Sequence, residues 1–446
     1  MKIHNFVIAA MTLTYGALAH AAVTAEEAAK LGKELTPVGA EQAGNKEGTI
    51  PPYTGGLTEL PASFKKGSGI RPDPFSNEKP QFSIDAKNMD KYADKLTEGT
   101  KALMKMHPSY RIDVYKTHRT AAYPKYVLDN TKQCAVKTKT TNNGLAMEGC
   151  HAGIPFPIPK SGYEAMWNHL VRYWGRAYSM GYKSTFVDMS GKPTTTASGI
   201  YYANYPYYAQ GETGTDLFWQ AKSVFKSPAR KAGEALMLHD PLDATMRRAW
   251  AYLPGQRRVK LAPSIGHDTP NPSTAGINTY DDHYIFIGSM ERFNFKLIGK
   301  KEMYVPYNAY KLAYQAKGED LFKPNHLNPD IVRWELHRVW EVEATLADGK
   351  RHIYSKRKFY LDEDSWSGLA SDEYDMRGEL YKAGFAYMAP SYDAPAPTAE
   401  THGFYDLISR SYSLEKWSAE AGGLNLTEPM PDRDWAPDAL AGQGIR

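Results

Sequence analysis

Cysteine is nearly absent: Cys134 and Cys150 are the only two in 446 residues. No CxxC or HxxxH spacing supplies further ligands beside them, so they give no ground for a metal centre. Charge of one sign is lacking too. The 54 Lys and Arg against 50 Asp and Glu leave a net +4, and the two signs are mixed along the chain, which argues against a nucleic-acid partner. There is no internal repeat and no low-complexity segment. After the N-terminus no stretch is apolar enough to cross a bilayer. The sequence contains no GxGxxG after a strand, no P-loop, no HExxH and no GxSxG elbow. SxxK occurs at Ser63/Lys66, Ser76/Lys79, Ser223/Lys226 and Ser413/Lys416, and four hits in unrelated contexts carry no specificity. No enzyme, cofactor or metal is therefore expected.

What is present is aromatic and strand-forming. Aromatics make up 12% of the chain, and the 31 Tyr outnumber the 15 Phe, a bias toward strands and amphipathic surfaces over a helical bundle. Lys2 and His4, an apolar run from Phe6 to Leu18 and then Ala19-His20-Ala21 form an export leader, with cleavage expected after Ala21 and a periplasmic destination. In an exported chain two cysteines favour a disulfide. Closing a loop of about 15 residues stabilises by roughly 3 kcal/mol.

Along the mature chain, Thr24 to Glu27 reads as a capping box opening a helix to about Leu35. Residues 36–85, rich in Gly, Pro and Ser, read as an extended arm wrapped over the domain. An amphipathic helix is predicted from about Asp85 to Met106, and a second one capped by Ser161 with Tyr163, Met166, Trp167, Leu170 and Trp174 on one face. Period-2 alternation marks strands at 110–115, 293–297 and, longest, 332–346. The last strand returns through an Asp348-Gly349 turn. Arg248–Leu261 reads as a hairpin about Pro254-Gly255. The fold class expected is α+β, mostly β: one large curved antiparallel sheet, an unclosed barrel, covering helices and an apolar cavity. The divisions are a leader (1–21), a helix and wrapping arm (22–85), the half-barrel domain (86–388) and a C-terminal extension (389–446) packed on the surface, with a short helix near Gly403–Ser411.

Site candidates follow from the faces of these strands. Trp250, Tyr252, Trp334, Leu336, Trp340 and Phe359, with Trp167 from the covering helix, either line a ligand space or fill a core. Arg338 shares the apolar strand face, where a charge needs a partner: a structural carboxylate or the acidic head of a ligand. The acidic clusters Asp281-Asp282 and Asp362-Glu363-Asp364 read chiefly as turn and cap residues, with calcium binding or an acid/base pair as the alternative. His283 and His337 read as ordinary polar strand residues.

Several stretches resemble the bacterial family of unknown function numbered 1329, related to outer-membrane lipoprotein-sorting proteins. They include Ile50-Pro51-Pro52-Tyr53-Thr54-Gly55-Gly56, Gly153-Ile154-Pro155-Phe156-Pro157-Ile158-Pro159 and Arg248-Ala249-Trp250-Ala251-Tyr252-Leu253-Pro254-Gly255. Further stretches are Arg333-Trp334-Glu335-Leu336-His337-Arg338 and Tyr360-Leu361-Asp362-Glu363-Asp364-Ser365-Trp366. The resemblance implies a half-barrel like that of the LolA and LolB lipoprotein carriers. It also implies traffic of a hydrophobic small molecule or lipid, beside a resistance-nodulation-division exporter and an outer-membrane partner. The chain differs from those carriers in its greater length, its early arm and its lack of a lipobox cysteine. The function expected is a periplasmic carrier or binding protein for a lipid-like molecule. A structural adaptor of an envelope complex is the alternative.

Overall fold

The computed structural model describes residues 23–211, 216–243 and 247–443; the expected export leader and its cleavage point lie outside the described residues. Two short strands come first, β1 (Phe82–Ile84) and β2 (Ile112–Val114), and a separate small hairpin is made by β3 (Lys139–Thr141) and β4 (Ala146–Glu148). A first meander contains β5 (Ala177–Val187), β6 (Pro193–Asn204), β7 (Leu217–Ser227), β8 (Ala235–Pro241), β9 (Arg248–Leu253) and β10 (Arg258–Leu261). A second contains β11 (Phe293–Pro306), β12 (Arg333–Leu346), β13 (Lys356–Asp362), β14 (Gly368–Tyr374), β15 (Leu380–Ala386), β16 (His402–Asp406) and β17 (Ser411–Trp417), and β18 (Leu424–Leu426) follows. Antiparallel pairing of β17 with β5, Tyr412 opposite Val187, joins the two meanders into one 16-stranded sheet. Its path runs β1-β2-β12-β13-β14-β15-β16-β17-β5-β6-β7-β8-β9-β10, with β2 parallel to β12, while β11 pairs with β12 and β18 with β5 off that path; β11 and β10 stand at its two free edges. Among the described residues these two do not pair, so the barrel is unclosed.

The expected hairpins form: β9 and β10 turn at Pro254–Gln256, and β12 returns as β13 with Val342 opposite Phe359. The segment after residue 388 requires a correction. It is not a surface extension, because β16 and β17 occupy the sheet between β15 and β5, and no helix spans 403–411. These strands are buried on both sides, so they lack the alternation by which half-buried strands are recognised. Only the end of the chain packs on the outside. There Trp435 and Leu440 cover Met237, Trp250 and Tyr252 on one face of the first meander.

Four helices matter for position. The capping box at Thr24 and Glu27 forms, but its helix α1 (Ala25–Ala28) is a single turn. The expected Asp85–Met106 helix is broken at Leu96. Thr97, whose side chain accepts from the Thr100 N–H, starts a separate helix α2 (Glu98–Met106) after a 3-10 stretch at Met89–Lys95. A local cap thus overrides a continuous amphipathic pattern. Helix α3 (Lys125–Lys137) follows Pro124, and its Cys134 is disulfide-bonded to Cys150. Ser161 caps α4 (Gly162–Leu170) as expected, accepting from the Glu164 N–H.

The register sorts the two faces of the second meander. Val342, Phe359, Ser371, Gly384, Phe404 and Ser413 are cross-strand partners in turn and share one face. That face is covered by α4 and by an irregular segment, residues 262–292, which inserts like a plug: Phe286 packs edge-on to Phe359, and the Ser413 hydroxyl donates to Asn278. The opposite face carries Tyr360, Asp372 and Ala383 and receives α2. Gly99 is required there, because a Cβ would lie 2.4 Å from that of Ala383. The buried Asp372 carboxylate accepts the Glu98 and Gly99 N–H groups at the helix start, where the dipole favours an anion.

The link between α4 and the plug is His169, fully buried. Its Nε2–H donates to the Phe286 carbonyl at 2.9 Å, and its Nδ1 accepts from the Gly368 N–H at 3.1 Å. Burial, and then the nearby Arg172 guanidinium, push its pKa down to about 3 from the ordinary 6.5. The unfolded chain therefore binds a proton that the folded chain refuses between these values. Stability from this group is complete above pH 6.5 and is lost as the pH falls toward 3. His169→Gln is expected to cost about 1–3 kcal/mol at pH 7 and to flatten the acid limb of the stability–pH curve. Urea unfolding at stepped pH checks this; parallel curves for the two proteins would count against it.

Candidate functional site

A cavity of about 150 Å³ lies between strands β5–β9 and the plug segment. Its position follows from register: Tyr201, Ser223, Leu236 and Ala251 are successive cross-strand partners and share the face that looks into it. The side chains of Ser223 and Ala251 are small and leave room beneath the plug. The walls are mostly aromatic and aliphatic, among them Tyr182, Trp219, Phe225, Leu253 and Tyr280, and Lys231 and Glu234 also line them. Ile265 and Ile287 of the plug roof it. Half-buried Phe225, Leu253 and Ile265 mark the solvent side.

The closed end is polar. Between Leu414 and Trp417 the register of β17 against β5 shifts, and Lys416 takes a left-handed backbone, φ 54°. This bulge turns both Glu415 and Lys416 toward the void. Lys416 is buried, hydrogen-bonds the Tyr284 hydroxyl and lies 3.6 Å from Glu400. Burial pushes its ammonium down to about 7. The Tyr284 hydroxyl donates to Glu400 at 2.8 Å and lies 3.0 Å from that of Tyr201. His283 of the plug has Nδ1 3.3 Å from Glu415 Oε2, and burial, followed by the Lys416 charge, pushes its pKa to about 3. An apolar pocket ending in fixed charges and hydroxyls suits an amphiphile whose polar end enters first.

Of the residues expected to meet a ligand, only Tyr252 borders this cavity, and by register its side chain lies on the opposite face of the sheet, under the C-terminal segment. Trp250, two residues earlier on the same face, packs edge-on to His239 under the C-terminal segment. Trp334 packs against Phe385, Trp340 stacks on Trp366, Phe359 packs on Phe286, and Leu336 is core. Trp167 is fully buried, donating to the Gly144 carbonyl. Arg338 has a structural partner: Nη1 lies 3.3 Å from Glu363 and donates to the Ala43 carbonyl at 3.1 Å. The acidic clusters are likewise tied down. Arg119 holds Asp364 at 2.8 and 2.7 Å, and Arg357 holds Asp281 and Asp282. His337 lies on β12 and pairs with Glu335, whereas His283 lies on the plug and not on a strand. The sequence reading missed Tyr201, Trp219, Leu236, Glu415 and Lys416. The alternation of Tyr201 with its neighbours signals a strand, but nothing local signals the bulge.

This is a half-barrel protein with a void of about 150 Å³ between sheet and plug. The chain belongs to the family described as protein of unknown function (DUF1329), whose model matches residues 83–441. It is similar to PA3922, an uncharacterized protein of Pseudomonas aeruginosa, at 39% identity over 434 residues, covering 96% of this chain and 95% of that one. Among solved structures it is similar to a domain named for outer membrane lipoprotein sorting from Vibrio parahaemolyticus (TM-score 0.41, 17% identity, 60% of this chain and 92% of the other). A DUF1329 family protein from Desulfovibrio piger gives the same four values. A LolA superfamily protein from Nitrosomonas europaea has a TM-score of 0.38 at 12% identity, covering 63% of this chain and all of the other.

The void itself is testable. Ala251→Leu places three more carbons in open space and is expected to be neutral or to stabilise by about 0.5–1 kcal/mol, measured by urea unfolding. A loss above about 1 kcal/mol would indicate a packed wall instead.

Proposed function

We propose that the chain is a periplasmic binding or carrier protein for a small, lipid-like amphiphile held in the β5–β9 cavity. The observation that carries this reading is the void itself, largely aromatic and aliphatic along its walls, with Glu415 and Lys416 at one end and Lys231 and Glu234 also in its lining. The Cys134–Cys150 disulfide supports an oxidising compartment, and among the described residues no helix is long and apolar enough to cross a membrane. Size limits the guest. A void near 150 Å³ takes a ring or a short chain, and enclosing about 200 Å² of apolar surface contributes about 5 kcal/mol before the costs of association. A full acyl chain enters only if the plug moves aside. The exporter and outer-membrane partner implied by the sequence resemblance belong to this proposal, as donor and acceptor of the guest.

The filling of the second meander favours a second reading, an envelope adaptor that works through its surface. Titration with the fluorescent amphiphile 1-naphthylamine separates the two. The carrier reading expects saturable binding that Ala251→Trp weakens at least about tenfold. It also expects Trp340→Ala to lower the melting temperature while leaving the affinity within about twofold. Absence of saturable binding to the wild-type chain, or equal binding by Ala251→Trp, would favour the adaptor.

A further inference from the structure

His402 and Glu415 are direct cross-strand partners on β16 and β17, and His283 reaches them from the plug. Three ligand-type atoms converge: His283 Nδ1, which donates to Glu415 Oε2 at 3.3 Å and would release that hydrogen on binding a metal, His402 Nε2 at 3.4 Å from the same oxygen, and that oxygen itself, all within 4.8 Å of one another. The two imidazole planes are nearly perpendicular, 87° apart, with centroids 4.7 Å from each other.

The hydrogen bonding of His402 is what singles this cluster out. Its Nδ1 lies 2.8 Å from the Glu400 carbonyl, which only accepts, so Nδ1 carries the hydrogen. In the neutral ring Nε2 then presents a lone pair. That nitrogen is buried, has no hydrogen-bond partner and faces an anionic oxygen. Two acceptors held against each other are repulsive unless a cation lies between them. Ligands about 2.0–2.1 Å from a tetrahedral zinc stand about 3.3 Å apart, and the two nitrogen–oxygen separations here are 3.3 and 3.4 Å. The Glu400 carbonyl fixes the His402 tautomer, and the Asn271 and Asn278 side-chain amides orient the Glu415 carboxylate; both are second-layer roles expected at a metal site. Lys416 is no obstacle, because its charge is balanced by Glu400.

We propose that His283, His402 and Glu415 bind one zinc-class divalent cation at the closed end of the cavity, its fourth position turned to the void. His283 and Glu415 both line that void, so the fourth ligand is water or the polar end of a guest. A second convergence, His337 with Asp362 and Asp364, differs: Arg119 occupies Asp364 on both oxygens, and Glu335 takes His337. It serves as an internal control. The inference rests on the site's geometry and does not depend on the carrier reading.

The full chain, stripped with a chelator and dialysed against micromolar zinc chloride, is expected to retain one zinc per chain by plasma mass spectrometry and to melt several degrees higher than the stripped form. His402→Gln and Glu415→Gln are expected to bind at least about tenfold more weakly, while His337→Gln binds as wild type. No zinc retained by the wild type, or equal retention by the folded His402→Gln variant, overturns the proposal. Should these variants fail to fold, cobalt substitution of the wild type decides. Intense visible absorption of a four-coordinate site supports it, and a weak six-coordinate spectrum or no bound cobalt overturns it. Naphthylamine binding measured with and without zinc keeps the two questions separate, since failure of either leaves the other standing.

Discussion

The architecture depends on the burial of Arg357. This residue of β13 has no exposed surface, and its guanidinium meets Glu373 of β14 at 2.8 Å, Asp282 of the plug at 2.8 Å and Asp281 at 3.2 Å. His352 and Tyr354 complete the shell, bonding Asp281 and Asp282. Burying so many charges is costly unless each is paired, and the excess of carboxylate is relieved at Glu373, where burial pushes the pKa up from the ordinary range. The cluster fixes segment 262–292 against the sheet. Loss of one partner would leave an unpaired buried charge, a far larger cost than loss of a surface pair. Ile265, His283 and Ile287 owe their places over the cavity to this anchor.

From that anchor the distribution of empty space follows. Over the second meander the plug and α4 meet bulky side chains, Phe286 against Phe359 and Phe295, and the interior closes. Over the first meander the same segment passes above Ser223, Leu236 and Ala251, and the smaller side chains leave the gap unfilled. One sheet thus carries two interiors, a packed one and a hollow one, with β17 between them. The bulge at Glu415 and Lys416 stands at this boundary, which is why polar groups terminate the void instead of another apolar layer.

How much of this was legible in the sequence depended on whether a strand had one face or two to hide. β12 alternates Glu335, His337 and Glu341 with Trp334, Leu336 and Trp340, and its extent is readable to within a residue. Ser161 and Thr24 announced their caps through short-range chemistry, although the Thr97 cap was masked by the helical pattern running through it. β16 and β17 carry mixed residues on two buried faces, so period 2 disappeared and the segment read as a tail. The site was harder still. Trp250 and Tyr252 were correctly placed on one face, but which face looks into the void depends on where the plug and the C-terminal segment lie, and no local pattern encodes that. Arg338 is the instructive case: its need for a partner was evident from the strand, and Glu363, 25 positions away, supplies it through the fold.

The closed end of the cavity shows why a hollow of this kind remains open. Were it lined by hydrocarbon throughout, exchanging small side chains for larger ones would fill it at a gain in stability. Glu415, Lys416, Glu400, Tyr284 and Tyr201 prevent such a collapse at one end, because each already has a partner at a fixed distance. Moving any of them inward would break a buried hydrogen bond or ion pair for a small dispersion gain. The polar end therefore acts as a rigid floor and the small residues of β7–β9 as a recess above it. The recess is kept by the network beneath it.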